Sequence, residues 1–156
     1  MKIKIIALGK IKESFLKDGI DEFLKRLIPY CSVEIIELSP IEIRDENLTL
    51  KVLEDEGKII LSHIKPDSYV ITLEINGKQL SSEDFASKIN EIMKSGVNEL
   101  VFVIGSSCGL SQIVSQRADY KLSISKMTFL HQFARLILVE QIYRAFKILK
   151  CETYHK

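Results

Sequence analysis

The sequence contains few of the residues that mark specialised classes of protein. It has no Trp, and its 156 residues include only 3 Cys, 3 Pro and 7 Gly. Cys31, Cys108 and Cys151 lie far apart without a CxxC pair, so they predict neither a disulfide framework nor a zinc site. No apolar run approaches the roughly 20 residues of a membrane span, and the N-terminus lacks the apolar core of a signal peptide. A cytoplasmic protein without a metal or a membrane partner is expected.

Net charge is also nearly absent. The 22 Lys and Arg residues against 21 Asp and Glu leave a formal charge of +1, which argues against a protein that coats nucleic acid by bulk electrostatics. Residues 117–156, however, hold eight basic and three acidic side chains, a net +5, so the remainder carries −4. Such asymmetry indicates a polyanionic partner, and the alternative is a chance excess on a solvated helix face.

The composition is that of an ordinary globular chain. With 46% hydrophobic and 28% charged residues, it predicts one domain spanning 1–156. A chain of this length buries roughly two-thirds of the surface that it exposes when unfolded, enough for a core without disulfides or metal.

Hydrophobic periodicity predicts five strands that alternate with five helices. Strands are predicted over 2–8, 33–38, 69–75, 99–104 and 121–124, and helices over 13–28, 48–64, 81–95, from 111 and over 128–150. Asn76-Gly77 is read as a turn after the third strand, and Gly57 is a costly residue inside the second helix. Strands that alternate with helices predict an α/β fold with a parallel, doubly wound sheet.

In such sheets ligands bind outside the carboxyl ends of the strands. Residues 73–78, 105–109 and 123–129 follow three of the predicted strands and are therefore candidates for one pocket. No GxGxxG follows the first strand, and 105–109 lacks the Gly-Lys-Ser/Thr of a P-loop. Ser107 sits at the centre of a possible nucleophile elbow, but few acid and His partners follow it, so a backbone turn that lets a ligand approach is favoured.

The last helix has apolar side chains almost all round it, which indicates burial on more than one side. A second subunit would cover its other side, and filling of the core by this chain alone is an equal alternative. His131 and Arg135 are four residues apart and share one face. The tail Tyr154-His-Lys156 is aromatic and basic, although a terminal tripeptide is more often unstructured.

Specific motifs identify a family. They are Leu122-Ser-Ile-Ser-Lys-Met-Thr-Phe129, His131-Gln132, Val139-Glu-Gln-Ile-Tyr-Arg-Ala-Phe146 and Tyr154-His-Lys156. With these motifs the whole chain resembles the ribosomal RNA large subunit methyltransferase H family, of the SPOUT class. The resemblance implies methyl transfer from S-adenosylmethionine (SAM) to the ring N3 of a pseudouridine in 23S ribosomal RNA of the assembled ribosome. It also implies a homodimer and a C-terminal trefoil knot.

The resemblance also assigns site residues. The implied cofactor contacts are Leu73, Gly105, Ile124, Ser125, Lys126, Met127, Thr128 and Phe129. The implied catalytic residues are His155, Tyr154 and Arg135. His155 would help the N3 proton to leave, Tyr154 would stack on the base, and Arg135 would stabilise the developing anion or bind phosphate.

Three positions depart from the family pattern. Ser106 stands where a second Gly is usual, Leu130 where Pro is frequent, and Cys151-Glu-Thr where Gly-x-Pro is common. Ser106 would narrow the room for the cofactor, which keeps a non-catalytic ribosome-binding module of the same fold as an alternative. A related knotted methyltransferase acting on transfer RNA is the second alternative, and a flavodoxin-like phosphate or flavin binder is the third.

Overall fold

The structure, a computed structural model, describes residues 1–43 and 45–154. The elements are β1 (Lys2–Leu8), α1 (Ser14–Leu27), β2 (Ser32–Leu38), a 3-10 turn (Glu46–Leu48), α2 (Thr49–Ser62), β3 (Tyr69–Lys78), α3 (Ser82–Lys94), β4 (Glu99–Ile104), α4 (Gln112–Arg117), β5 (Tyr120–Leu122) and α5 (His131–Leu149). The predicted alternation of strands and helices is confirmed. None of the helices in these residues is long and apolar enough to cross a membrane.

The strands form one parallel sheet in the order β2-β1-β4-β3-β5. β4 is the central strand, between β1 and β3, and every residue of β4 is buried, as expected of a parallel strand covered on both faces. The register places Ile5 beside both Ile35 and Phe102. The predicted parallel sheet is therefore confirmed.

Helices cover both faces of the sheet, which makes it doubly wound as predicted. Because strand side chains alternate, Ile3, Ile5 and Ala7 of β1 pack in the cluster that contains α1, α3 and α5. Ile6 and Leu8 pack in the second cluster, with α2 and α4. α5 thus lies against α1 and α3, and its first residue stands at the carboxyl edge of the sheet.

The prediction of a turn at Asn76-Gly77 is wrong, because β3 continues to Lys78. β5 runs beside this extension with a shift of register, and Lys78 pairs with Leu122. A Cβ atom on Gly77 would lie 2.6 Å from the carbonyl carbon of Leu122. The glycine is present because two backbones approach closely there.

The boundaries around 123–130 also differ from the prediction. β5 ends at Leu122 and α5 begins only at His131, so the intervening residues form a loop. The Ser123 hydroxyl donates to the Ser125 carbonyl at 3.0 Å, and the Ser125 hydroxyl accepts from the Met127 N–H at 3.0 Å. Such local side-chain bonds to the backbone compete with helix formation.

Candidate active site

One cavity of about 510 Å³ opens at the carboxyl edge of the sheet. The three stretches predicted to share a pocket line it together, with residues 73–76, 104–110, 122–125 and 127–131 and with Ala134. Leu73, Gly105, Ile124, Ser125, Met127, Thr128 and Phe129 are therefore all in its wall. Lys126 is exposed on the same loop and does not line the cavity.

The loop after β4 is a tight turn that needs its glycines. The Gly109 N–H donates to the Ser106 carbonyl at 2.9 Å, and a Cβ atom on Gly105 would come within 2.4 Å of the Gly109 oxygen. Gly109 has φ +87°, a conformation that favours glycine. Ser107 is exposed on this turn, and no His side chain in 1–43 or 45–154 bonds to it. The geometry favours the backbone turn over the nucleophile elbow.

The side chain of Ser106 is turned toward α2. Its hydroxyl donates to Glu56 Oε2 at 3.4 Å and accepts from the Cys108 N–H at 3.4 Å. Glu56 is buried, and its other carboxylate oxygen accepts from the Ile41 N–H at 2.9 Å. The hydroxyl of Ser106, which the glycine usual in the family lacks, thus forms hydrogen bonds to Glu56 and Cys108.

Glu74 lines the cavity beside Leu73, a position that sequence reasoning did not assign. The Thr72 hydroxyl donates to its Oε1 at 2.7 Å, and the Ser115 hydroxyl donates to its Oε2 at 3.0 Å. Both oxygens are fixed, so a carboxylate is held in the wall of a largely apolar cavity. Glu74 could have been identified from the sequence as a carboxylate directly after the buried part of a strand, at the sheet edge where ligands bind.

Arg135 does not reach the surface. It is fully buried, donates to Glu37 Oε1 at 2.5 Å and to the Gly9 carbonyl at 2.9 Å, and so connects the ends of β1 and β2 to α5. Burial lowers the pKa of its guanidinium, and Glu37 opposes that effect. This placement is that of a positioning residue, and the contact between Arg135 and substrate that the resemblance implies stays a prediction.

His131 lies in the cavity wall and touches the loop after β1. A Cβ atom on Gly9 would be 3.2 Å from its Nε2. Burial lowers the pKa of the imidazole, and the charge of Arg135 lowers it further. His131 is therefore a neutral ring at the mouth of the site at pH 7.

Tyr154 packs on the far half of α5, away from the cavity of its own chain. Its hydroxyl donates to Glu140 Oε1 at 3.0 Å, its ring meets the Tyr143 ring at 4.9 Å, and the Arg144 guanidinium lies 4.7 Å from its centre. Burial and then Glu140 raise the pKa of the phenol. Tyr143 is 12 residues beyond His131, or about 18 Å along a helix. His155 lies outside the described residues.

Half of the cations in the basic C-terminal quarter are paired with carboxylates. Four of its cations form ion pairs with carboxylates: Arg117 with Asp119, Arg135 with Glu37, Arg144 with Glu140 and Lys147 with Glu152. Three of these carboxylates, Asp119, Glu140 and Glu152, are already counted in the net +5, so only the pair with Glu37 reduces it, to +4. Within 1–43 and 45–154, no group of three His, Cys, Asp or Glu side chains is placed to hold a metal ion.

Known proteins are similar to this chain in sequence or in fold. The family model described as "Predicted SPOUT methyltransferase" matches residues 1–155. The ribosomal RNA large subunit methyltransferase H of Carboxydothermus hydrogenoformans is 53% identical over 160 residues that cover both chains completely. A probable methylase family protein from Haemophilus influenzae Rd KW20 has the same fold, with a TM-score of 0.58 at 12% identity over 99% of this chain and 70% of that one.

Proposed function

This chain belongs to the SPOUT methyltransferase family, and from that premise we propose that it methylates N3 of a pseudouridine in 23S ribosomal RNA, using SAM. It is a methyltransferase, and its 53% identical relative is named as an enzyme of large-subunit ribosomal RNA. The assembled ribosome in the cytoplasm is the proposed substrate particle. The observation that carries the proposal is the cavity at the carboxyl edge of the sheet, which combines apolar walls with a fixed carboxylate.

The cavity suits SAM in size and chemistry. Its volume of about 510 Å³ lies within the range of small-molecule sites. Leu73, Leu110 and Ile124 would offer apolar surface to SAM, and the exposed turn at 105–109 would offer backbone groups. When bound, SAM supplies a methyl group on a positively charged sulfur, and Glu74 is a fixed negative charge in the same wall. The Ser106 hydroxyl donates a hydrogen bond to Glu56, on the side of α2. This supports a site that accepts the cofactor over a non-catalytic module.

The protein has two tasks in this reaction. It must place the acceptor nitrogen in line with the methyl group, and it must provide a base for the proton on that nitrogen. Correct placement of two reactants contributes about 7–11 kcal/mol to such a step. As the C–N bond forms and the C–S bond breaks, the proton on N3 must pass to a base. We assign this role to His155 and base stacking to Tyr154, because both belong to the tail that the family shares. Stacking on an aromatic side chain contributes about 1–3 kcal/mol.

A homodimer would bring this tail to the cavity. Tyr154 is held on the far half of its own α5, whereas apolar side chains stand exposed near the cavity on the same helix and on α1. Phe15, Leu130 and Phe133 are 61%, 65% and 38% exposed, and the two Phe rings are 6.0 Å apart. A second copy that covers this surface with its own α5 would complete the site. We also propose the C-terminal trefoil knot that the family resemblance implies.

The decisive experiment incubates the protein with 70S ribosomes and methyl-labelled SAM and identifies the product nucleoside by mass spectrometry. We expect one methylated pseudouridine per 23S RNA, with no label in transfer RNA. Label in transfer RNA would favour the alternative substrate, and SAM binding without any transfer would favour a binding module. Calorimetry gives the SAM affinity of the same preparation.

Two variants test the assigned residues. Removing 154–156 should abolish methylation and change the SAM Kd by less than about threefold, because Tyr154, the described residue of this tail, does not line the cofactor cavity of its own chain. Glu74→Gln should raise the SAM Kd about tenfold, equivalent to about 1.4 kcal/mol. Glu91→Gln, on the exposed side of α3, is the matched control and should leave Kd unchanged. Full activity of the truncated chain would contradict the role of the tail.

A further inference from the structure

The loop from Gly9 to Lys12 leaves the sheet beside the cavity and is held there from three directions. Arg135 donates to the Gly9 carbonyl at 2.9 Å, Glu37 Oε1 accepts from the Ile11 N–H at 3.3 Å, and Gln132 donates to the Lys10 carbonyl at 3.4 Å. These bonds use backbone atoms of the loop. Its path is thus fixed while the side chains of Lys10 and Lys12 stay exposed.

These two lysines differ from the paired cations of the C-terminal segment and resemble its exposed lysines Lys121, Lys126 and Lys150, which form no ion pair with the described residues either. Arg135, Arg144 and Lys147 are each neutralised by a carboxylate, whereas within 1–43 and 45–154 neither Lys10 nor Lys12 forms an ion pair. A cation that is already exposed and unpaired can bind a phosphate without first breaking an internal bond. Each phosphate bound in this way releases counterions from the nucleic acid and strengthens binding at low salt.

The loop is also next to the reacting region. Gly9 lies against His131, and Lys10 is bonded to Gln132, the first two residues of α5. His131 lines the cavity, so the lysines stand at its rim. A base that enters the cavity would bring the phosphates of its strand to this rim.

We propose that Lys10 and Lys12 bind the RNA backbone beside the target nucleotide, and that the buried Arg135–Glu37 pair positions the loop that carries them. This inference rests on the proposed function, because it takes RNA as the substrate. It places an electrostatic contact with substrate in the first loop of the chain, beside the cavity. Positive charge there would orient the strand, and the cavity would select the base.

The test measures binding of the SAM-loaded protein to 70S ribosomes at several salt concentrations, which needs no turnover. For Lys10→Gln/Lys12→Gln we expect affinity to fall about tenfold at low salt. The slope of log K against log salt should flatten by about 0.7–0.9 for each phosphate that the protein no longer neutralises. The Kd for SAM and kcat at saturating ribosomes should stay unchanged. The expected signature is therefore a rise in KM alone.

The matched control is Lys65→Gln/Lys94→Gln, which removes the same charge at the opposite edge of the sheet, where α2 and α3 end. It should bind like the wild type. Equal affinity and equal salt slope for the Lys10 and Lys12 variant would overturn this inference and leave the proposed function standing. Failure of the wild-type protein to bind ribosomes would overturn both.

Discussion

The hydroxyl of Ser111 lies so close to Gly57 that a Cβ atom on Gly57 would be 2.1 Å from its oxygen. Gly57 is inside α2 and Ser111 precedes α4, so the two helices on this face of the sheet meet at the one residue without a side chain. Inside a helix, Gly costs about 1 kcal/mol relative to Ala. Here Gly is required despite this cost, because the segment before α4 leaves no room for a Cβ atom at residue 57.

Gly57→Ala should therefore destabilise the protein even though Ala is the better helix former. Overpacking of a tight contact costs about 1–3 kcal/mol, which exceeds the gain in helix propensity. We expect the free energy of unfolding, measured by urea denaturation, to fall by about 1–2 kcal/mol.

Ser111→Ala provides the test of cause. The Ser111 oxygen is buried without a hydrogen-bond partner among the described residues, so its removal alone should be neutral or slightly stabilising. In the double variant, Gly57→Ala should cost less than it does alone, because the 2.1 Å contact is gone. Additive effects would show that the loss arises elsewhere.

Cys151 is in a conformation that suits glycine. Its φ is +55°, and it follows α5 in a Schellman motif. The Cys151 N–H donates to the Ile148 carbonyl at 3.0 Å, and the Glu152 N–H donates to the Lys147 carbonyl at 2.9 Å. A left-handed non-glycine residue costs roughly 1–2 kcal/mol. Cys151→Gly should raise the free energy of unfolding by about 0.5–1 kcal/mol, since the flexibility of glycine in the unfolded chain offsets part of the gain.

Cys151→Ala is the matched control for loss of the thiol. It keeps the strained φ, and Cys151 is exposed, so stability should change by less than about 0.5 kcal/mol. If Ala stabilised the protein as much as Gly, backbone strain would not be the cause. Urea denaturation under reducing conditions measures all three proteins.

Local patterns in the sequence were sufficient to predict the order of strands and helices and the edge of the sheet at which the cavity lies. Strand periodicity and the strand-end rule predicted the segments that contain Leu73, Gly105 and Ile124. The same reasoning failed at Gly77, where the backbone of Leu122 determines the conformation. No local pattern predicted the ion pair between Arg135 and Glu37, which are 98 residues apart. Contacts between segments that are distant in the chain, such as close backbone approach or an ion pair, produce no periodic pattern in a single sequence.

Stability should depend on pH through His131. Burial and Arg135 lower the pKa of this imidazole in the folded state below its ordinary value of 6.5, so between the two values the unfolded chain binds more protons. The contribution is fully present above about pH 6.5 and is lost as the pH falls toward the folded-state pKa. Urea denaturation at pH 7.5, 6.5 and 5.5 should show a decline that His131→Gln reduces.

His63→Gln is the control for that experiment. His63 lies at the end of α2, on the other side of the molecule from Arg135, and its replacement should leave the decline intact. The range stops at pH 5.5 because carboxylates such as Glu99, whose pKa is lowered in the fold, lose stabilising charge only at lower pH. A decline of the same size in both variants would rule out His131 as its source.

The Arg135–Glu37 pair should respond unequally to loss of either partner. The Arg135 side chain is 1% exposed and the Glu37 side chain 35% exposed. Glu37→Gln leaves a buried guanidinium without its counter-charge, and breaking a buried pair in this way costs about 3–5 kcal/mol. Arg135→Met leaves a carboxylate that can turn to water and replaces the buried cation by an apolar chain of similar length.

We therefore expect Glu37→Gln to lower the free energy of unfolding by about 3 kcal/mol and Arg135→Met to lower it by clearly less. In the double variant the loss should be close to that of Arg135→Met alone, because Glu37 then has no buried charge to compensate. Urea denaturation of the four proteins gives the coupling energy. Equal losses in the two single variants would mean that the pair is solvated and that Arg135 is accessible to a substrate.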